Sequence, residues 1–250
     1  MGGQRKSRPC SPPVSEGGDM KIGIIGAGNI GGTLTRRFTK LGHQVCVANS
    51  RGPRTLGELA AETGAKPVTV SEAARSGAVV IIAIPERSYM ELPPDLFDGV
   101  PDDVVVVDTG NYYPRQRDGT IEAIEAGSTE SGFASHMIGR PVVKAFNNIY
   151  ADHLAKSGKP PGAKGRIALP VAGDDPAAKA IVTRLVDELG FDAVDAGGLD
   201  DSWRQQPGTP VYASDHDAAG VRRALADASR ERQPEFRGTA DSPGTFSHPA

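Results

Sequence analysis

The segment Lys21–Gly32, KIGIIGAGNIGG, constrains this chain more than any other stretch. Gly26, Gly28 and Gly31 stand at G-x-G-x-x-G spacing, after a short apolar run and at the opening of an amphipathic one. A strand, a glycine turn and a helix N-terminus in that order make the first crossover of a parallel sheet and a cradle for a pyrophosphate. Gly26 permits the tight turn, Gly28 lets the backbone approach phosphate oxygens, and Gly31 allows helix and strand to pack closely. Asn29 and Ile30 begin the helix, where free N–H groups and the positive dipole end meet an anion. The expectation is a bound dinucleotide.

The rest of the chain repeats the pattern. Apolar runs of strand length lie at Ile22–Ile25, Gln44–Ala48, Val79–Ile84, Val104–Val107 and Val142–Phe146, then at Ile167–Ala172 and Phe191–Val194. The first five are nearly continuous rather than alternating, as in parallel strands covered on both faces. Between them Asn29–Leu41 places Ile30, Leu34, Phe38 and Leu41 on one helical face. Pro176–Leu189 does the same with Ala177, Ala180, Ile181, Leu185 and Leu189, with Asp174 or Asp175 as N-cap and Gly190 beyond the end. This predicts an α/β fold with a doubly wound, mostly parallel sheet and a small C-terminal α/β extension. The expected division is a tail at 1–19, a nucleotide-binding domain at 20–150, a substrate-side extension at 151–232 and a tail at 233–250.

Both tails are expected to be disordered. Residues 1–19 hold too few apolar side chains to offset their ordering entropy, and 233–250 is broken by Pro234, Gly238, Pro243, Gly244 and Pro249. Met20 directly precedes the first strand and is the expected natural start. No apolar run approaches the ~20 residues of a membrane span, and Arg5, Lys6 and Arg8 are not followed by a secretory apolar segment. Cys10 and Cys46 make no disulfide framework, so the reducing cytoplasm is the expected compartment. With 28 basic against 31 acidic side chains the chain lacks the surplus of a nucleic-acid binder. His43, His136, His153, His216 and His248 show no ligand spacing, so no metal is expected.

The end of the second strand distinguishes the two nicotinamide dinucleotides. A carboxylate there would bind a free ribose 2′-OH and repel a 2′-phosphate. The chain has Asn49, Ser50 and Arg51 instead, with Arg54 as a second cation. A hydroxyl and a guanidinium favour the 2′-phosphate, so NADP(H) is expected.

KIGIIGAGNIGGTLTRRFTKLGHQVCVANSR, AIPERS at 83–88, VVKAFNNI at 142–149 and LPVAGDDPAAKAIVTRLVDELGFDAVDAGGL at 169–199 resemble the NADP oxidoreductases that use the deazaflavin coenzyme F420. The resemblance runs over about residues 20–200 and implies a Rossmann domain that carries a hydride between NADP(H) and the deazaflavin. It weakens after Leu199, where Pro207, Gly208 and Pro210 forbid the apolar helix of the better-known deazaflavin reductases.

Ligands in open parallel sheets sit beyond the carboxyl ends of the strands. Candidates there are Ile84, Pro85 and Glu86, then Asp108, Thr109, Gly110, Asn111, Tyr112 and Tyr113, then Asn147 and Asn148, with Trp203, Arg204 and Tyr212 from the C-terminal loop. Ile84 and Pro85 suit one nicotinamide face, and backbone at Pro85–Glu86 or Asn147–Asn148 suits its carboxamide. Tyr112, Tyr113 and Trp203 suit stacking on a flat partner, and Arg204 an acidic group on it. Plainer roles stand beside these: a helix cap for Asp108, Asn147 and Asn148, loop closure for the tyrosines, core packing for Trp203. Other acceptors (a flavin, a quinone, an imine) and a non-catalytic NADP(H) sensor stay open. A thin apolar stripe of Val221, Leu225 and Ala228 on an expected helix at 217–231 suggests a homodimer.

Overall fold

The computed structural model describes residues 18–250, so the expected N-terminal tail and Cys10 lie almost wholly outside the described residues. Chain order is β1 (Lys21–Ile25), α1 (Asn29–Lys40), β2 (Gln44–Ala48), α2 (Gly57–Thr63), β3 (Lys66–Pro67), α3 (Val70–Ala74) and β4 (Val79–Ile82). Then come β5 (Val105–Asp108), α4 (Glu122–Glu125), α5 (Glu130–Ile138), β6 (Val143–Lys144), α6 (Ala151–Lys156), β7 (Ala168–Val171), α7 (Pro176–Glu188), β8 (Asp192–Asp195) and α8 (Ala218–Ala226).

Six strands pair in the order β3-β2-β1-β4-β5-β6, all parallel. This is the doubly wound Rossmann arrangement, with β1 beside β4 at the point where the strand order reverses. The continuous apolar runs divide between two cores. Ile22, Ile24, Val79, Ile81, Val105 and Val107 pack with Leu34 and Phe38 of α1 and with α7. Their neighbours Ile25, Val80, Ile82 and Val106 pack with Tyr89, Ile124 and Phe133 on the other face. Period-2 side-chain alternation between two covered faces requires such unbroken hydrophobic sequence.

β7 and β8 form a separate parallel pair. They join the main sheet through an antiparallel bridge in which Lys144 N donates to Ala172 O at 2.8 Å and Ala172 N returns to Lys144 O at 3.1 Å. Asp175 caps α7, accepting from Ala177 N at 2.8 Å, and Gly190 follows its end at φ 89°.

Some expectations shift. β3 is only two residues long, and its sequence carries no strand signal. The run at 142–146 yields two strand residues because Phe146 turns to φ 62°. Leu41 lies past the end of α1 and is exposed, and the buried face of α7 is Val182, Leu185 and Val186, continued by the C-cap Leu189, with Ala177 and Ala180 outside. α8 ends at Ala226, five residues short of the expected end. Val221 and Leu225 pack against Val194 and Val211 within the chain, so those two side chains offer no face to a second copy. Residues 233–250 hold one 3₁₀ turn, yet they lie against the body: Gly238 N donates to Glu125 Oε1 at 2.8 Å and Gly244 N to Arg115 O at 2.8 Å. Among the described residues no helix is long and apolar enough to cross a membrane.

Candidate functional site

A cleft of about 780 Å³ opens where β1, β2 and β4 end. Gly26 N donates to Ala48 O at 2.8 Å and Ala83 N to Ile25 O at 2.7 Å, which draws the three strand ends together. Gly26 turns at φ 105°, and a Cβ there would stand 2.2 Å from Ala83 O. A Cβ on Gly31 would strike Gly26 O at 1.8 Å, so this glycine sets the contact between helix and turn. Gly28 differs: a Cβ on it meets nothing within 4 Å, and it lines the cleft. It is also the N-cap of α1, with no side chain capping the helix and no acidic residue in the first turn. The helix N-terminus therefore presents its N–H groups and positive dipole end to the cleft, which fits a pyrophosphate.

Asn49, Ser50 and Arg51 line the opposite wall. The Asn49 side chain builds the loop rather than facing a ligand. Its Oδ1 accepts from Arg51 N at 3.0 Å, and its Nδ2 donates to Thr55 Oγ1 at 2.9 Å. That turn leaves Ser50 and Arg51 exposed. Arg54 is exposed nearby but does not line the cleft. Arg36, which sequence reasoning missed, does line it, one helical turn beyond Gly32, and pairs with Glu62 at 2.7 Å. Ile84 and Pro85 form the far end.

The Glu86 side chain does not line this cleft, which leaves its backbone for the expected carboxamide contact. Its side chain is fully buried, and a Cβ on Gly110 would lie 2.3 Å from its Oε1. There it joins Asp108, Glu130 and Lys144, all buried. Lys144 Nζ lies 3.3 Å from Asp108 Oδ2 and 3.5 Å from Glu130 Oε2, and donates to Gly110 O at 2.7 Å. Asp108 also accepts from Tyr89 Oη at 2.7 Å, Ser131 Oγ at 2.5 Å and Gly110 N at 2.7 Å. Burial works against its ionisation, but Lys144 and these bonds outweigh burial and hold its carboxyl below the usual range. Burial and then the Asp108 charge push Glu86 well above that range, and burial raises Glu130 to about 7. Asp108 is thus the anchor of a buried charge cluster, and neither a helix cap nor a cleft residue.

A second network ties the loops after β5 and β6 to the 3₁₀ turn Leu199–Gln205. Asn147 Nδ2 donates to Asn111 Oδ1 at 3.0 Å and to Gln205 O at 2.7 Å, while Gln205 Nε2 donates to Asn147 Oδ1 at 2.9 Å. Asn148 is 1% exposed, and neither of its amide atoms has a protein partner. Tyr112 is fully buried, its hydroxyl donating to Glu125 Oε1 at 3.0 Å and accepting from Ile121 N at 2.9 Å. A buried ring cannot stack on a ligand, which corrects that expectation. Trp203 is already engaged by cations, with the guanidinium carbons of Arg204 and Arg230 at 4.7 and 5.5 Å from its ring centre. Arg204 also donates to Leu225 O at 3.2 Å, so it is occupied within the chain.

Residues 21–112 match the family model described as NADP oxidoreductase, coenzyme F420-dependent. A structure of the hypothetical protein SMa0349 from Sinorhizobium meliloti is 33% identical at TM-score 0.65, over 78% of this chain and 94% of that one. This chain belongs to the coenzyme F420-dependent NADP oxidoreductase family. A structure from Arthrobacter sp. FB24, provisionally described as an F420-dependent NADP reductase, is 23% identical at TM-score 0.59 over 73% of this chain and 87% of that one. At that identity it shows the shared fold. The Escherichia coli (strain K12) protein YjhV is 48% identical over 71 residues, 28% of this chain. The match spans 52% of YjhV, about half of that curated relative.

Proposed function

We propose that this oxidoreductase passes a hydride between NADP(H) and a flat redox co-substrate of the deazaflavin type, coenzyme F420. NADP(H), when bound, supplies or takes up the hydride. The observation that carries the reading is the pairing of an open Gly28 at an uncapped helix N-terminus with an exposed Arg51 across one cleft. The first suits a pyrophosphate and the second a ribose 2′-phosphate. Gly26, Asn29, Ile30 and Gly31 shape that cradle, Asn49 fixes the loop, and Arg54 adds positive potential nearby. Ile84 and Pro85 give the nicotinamide an apolar seat. Hydride transfer between two rings needs alignment and exclusion of water more than acid–base help.

The co-substrate side is assigned to the loops after β5 and β6, with Asn111, Asn147 and Asn148. The test is loss of the reduced nicotinamide absorbance with purified deazaflavin coenzyme, and in parallel with FMN, a quinone and a cyclic imine. Rapid turnover with the deazaflavin alone supports the reading. Turnover confined to another acceptor replaces the co-substrate and keeps the reductase. Tight NADPH binding with no turnover on any acceptor points to a sensor instead.

A further inference from the structure

The Tyr113 and Tyr212 hydroxyls are hydrogen-bonded to each other across 99 residues of sequence. Both residues are half-buried, so the pair is neither sealed in the core nor free in solvent. A short set of contacts links it to the segment that follows Pro85, which lines the far end of the cleft. Arg87, two residues past Pro85, donates from Nη1 to Asp118 O at 3.1 Å, and Tyr113 N donates to Asp118 Oδ2 at 2.8 Å. The loop of Tyr212 follows Gln205, which is bound to Asn147. Polar atoms on the same loops lack protein partners although buried: both amide atoms of Asn148, Gln205 Oε1 and Gln206 Nε2. Buried polar groups in folded proteins are almost always paired, so these atoms have hydrogen-bonding capacity left for a ligand or water.

Resting on the proposed hydride transfer, we infer that the Tyr113–Tyr212 hydroxyl pair is the proton donor to the acceptor. An acceptor reduced by one hydride at carbon gains an electron pair on a conjugated nitrogen or oxygen, and that atom must take a proton. Within the pair one O–H is spent on the other oxygen, which leaves one O–H to give. That O–H bond breaks as the new N–H or O–H forms. The tyrosinate left behind recovers a proton through its partner from solvent, and in the oxidative direction every step reverses. The charged and titratable groups around the pair are Arg117, whose guanidinium carbon lies 5.1 Å from the Tyr113 ring centre, with Asp118, Glu130 and Tyr150. Burial raises both hydroxyls above the ordinary tyrosine range, which keeps the proton in place until it is needed. Phe246 packs edge-on against Tyr113 at 5.6 Å between ring centres and shields that side.

The experiment uses the full chain with Tyr113→Phe, Tyr212→Phe and the double variant, on whichever acceptor the wild type reduces. A lost general acid costs about a hundredfold or more. The double variant should therefore lose at least that in kcat, with KM for NADPH and NADPH Kd within about threefold of wild type. The solvent deuterium isotope effect on kcat should also change. In the free protein, ultraviolet titration should show that the wild type holds two tyrosines protonated to higher pH than the double variant accounts for. Wild-type turnover with an unchanged kcat and isotope effect in the double variant overturns the inference alone. A kcat loss whose isotope effect matches wild type assigns the pair a structural role and also overturns it. Absence of wild-type turnover on every acceptor overturns the hydride-transfer reading beneath it, a result distinct from either.

Discussion

Lys144 Nζ stands 3.3 Å from Asp108 Oδ2, and both side chains have no solvent exposure. The two lie at adjacent strand ends, paired in register across β5 and β6. Removing one member of a buried pair leaves the other charged and unpaired, at a cost of about 3–5 kcal/mol. Lys144→Met is therefore expected to lower unfolding free energy by that order in urea melts. Lys144→Met with Asp108→Asn should recover part of the loss. A single variant as stable as wild type would mean the pair is neutral in place.

The same cluster sets a pH dependence with a definite sign. Glu130 is raised from 4.5 to about 7, and Glu86 is raised well above its ordinary value, in both cases chiefly by burial. Between the unfolded and folded values the native state holds more protons than the unfolded chain. Stability is thus greatest on the acid side and declines as pH rises from about 4.5 to about 7. Asp108 acts oppositely, and its contribution is lost only in strong acid, below its ordinary 3.8. Melting temperatures across pH 5–8 should fall toward neutrality. Glu130→Gln should flatten that slope, and an unchanged slope in the variant would rule out Glu130 as its source.

The frame of the fold was legible because its signals are local. The Gly26–Gly31 turn, the continuous apolar strands and the Asp175 and Gly190 caps each act within a few residues. The wall of the cleft was legible at Asn49–Arg51 for the same reason. What escaped depends on side chains meeting across the sheet. Lys144 sits inside the apolar run VVKAF, and Asp108 ends the run VVVVD. A lone charge in a two-faced strand demands a partner, so the signal existed, but only the parallel register of β5 and β6 names it. Tyr112 and Tyr113 are adjacent and carry the same sequence signal. The structure buries the first and pairs the second with Tyr212, which spacing alone cannot separate.

Gly26 and Gly28 should respond differently to one methyl group. Gly26→Ala meets both a φ of 105° and the Ala83 carbonyl at 2.2 Å, so it should lower melting temperature and weaken dinucleotide binding together. Gly28→Ala meets nothing within 4 Å and should fold with a melting temperature near wild type. Its new Cβ occupies cleft space where the phosphates are assigned, so NADPH Kd should rise tenfold or more, by our order-of-magnitude expectation of roughly 1.4 kcal/mol. Calorimetry of both variants with NADPH checks this. A Gly28→Ala protein that binds NADPH as wild type does would remove the phosphates from α1.

Arg51 carries the choice of dinucleotide. It is exposed at the rim of the cleft, on a turn fixed by Asn49 and Thr55, with no carboxylate at the end of β2. A charge-assisted bond to a 2′-phosphate is worth about 1.5–3 kcal/mol, and NADH offers no phosphate there. Arg51→Ala is therefore expected to weaken NADPH binding by about ten- to a hundredfold and to leave NADH within about twofold. Asn49→Ala should do part of the same by loosening the turn, although its own side chain contacts the loop. Fluorescence titration of each variant with both nucleotides separates these effects. Equal losses for NADPH and NADH in Arg51→Ala would place the 2′-phosphate elsewhere and pass its recognition to Ser50 or Arg36, two other donors that line the cleft.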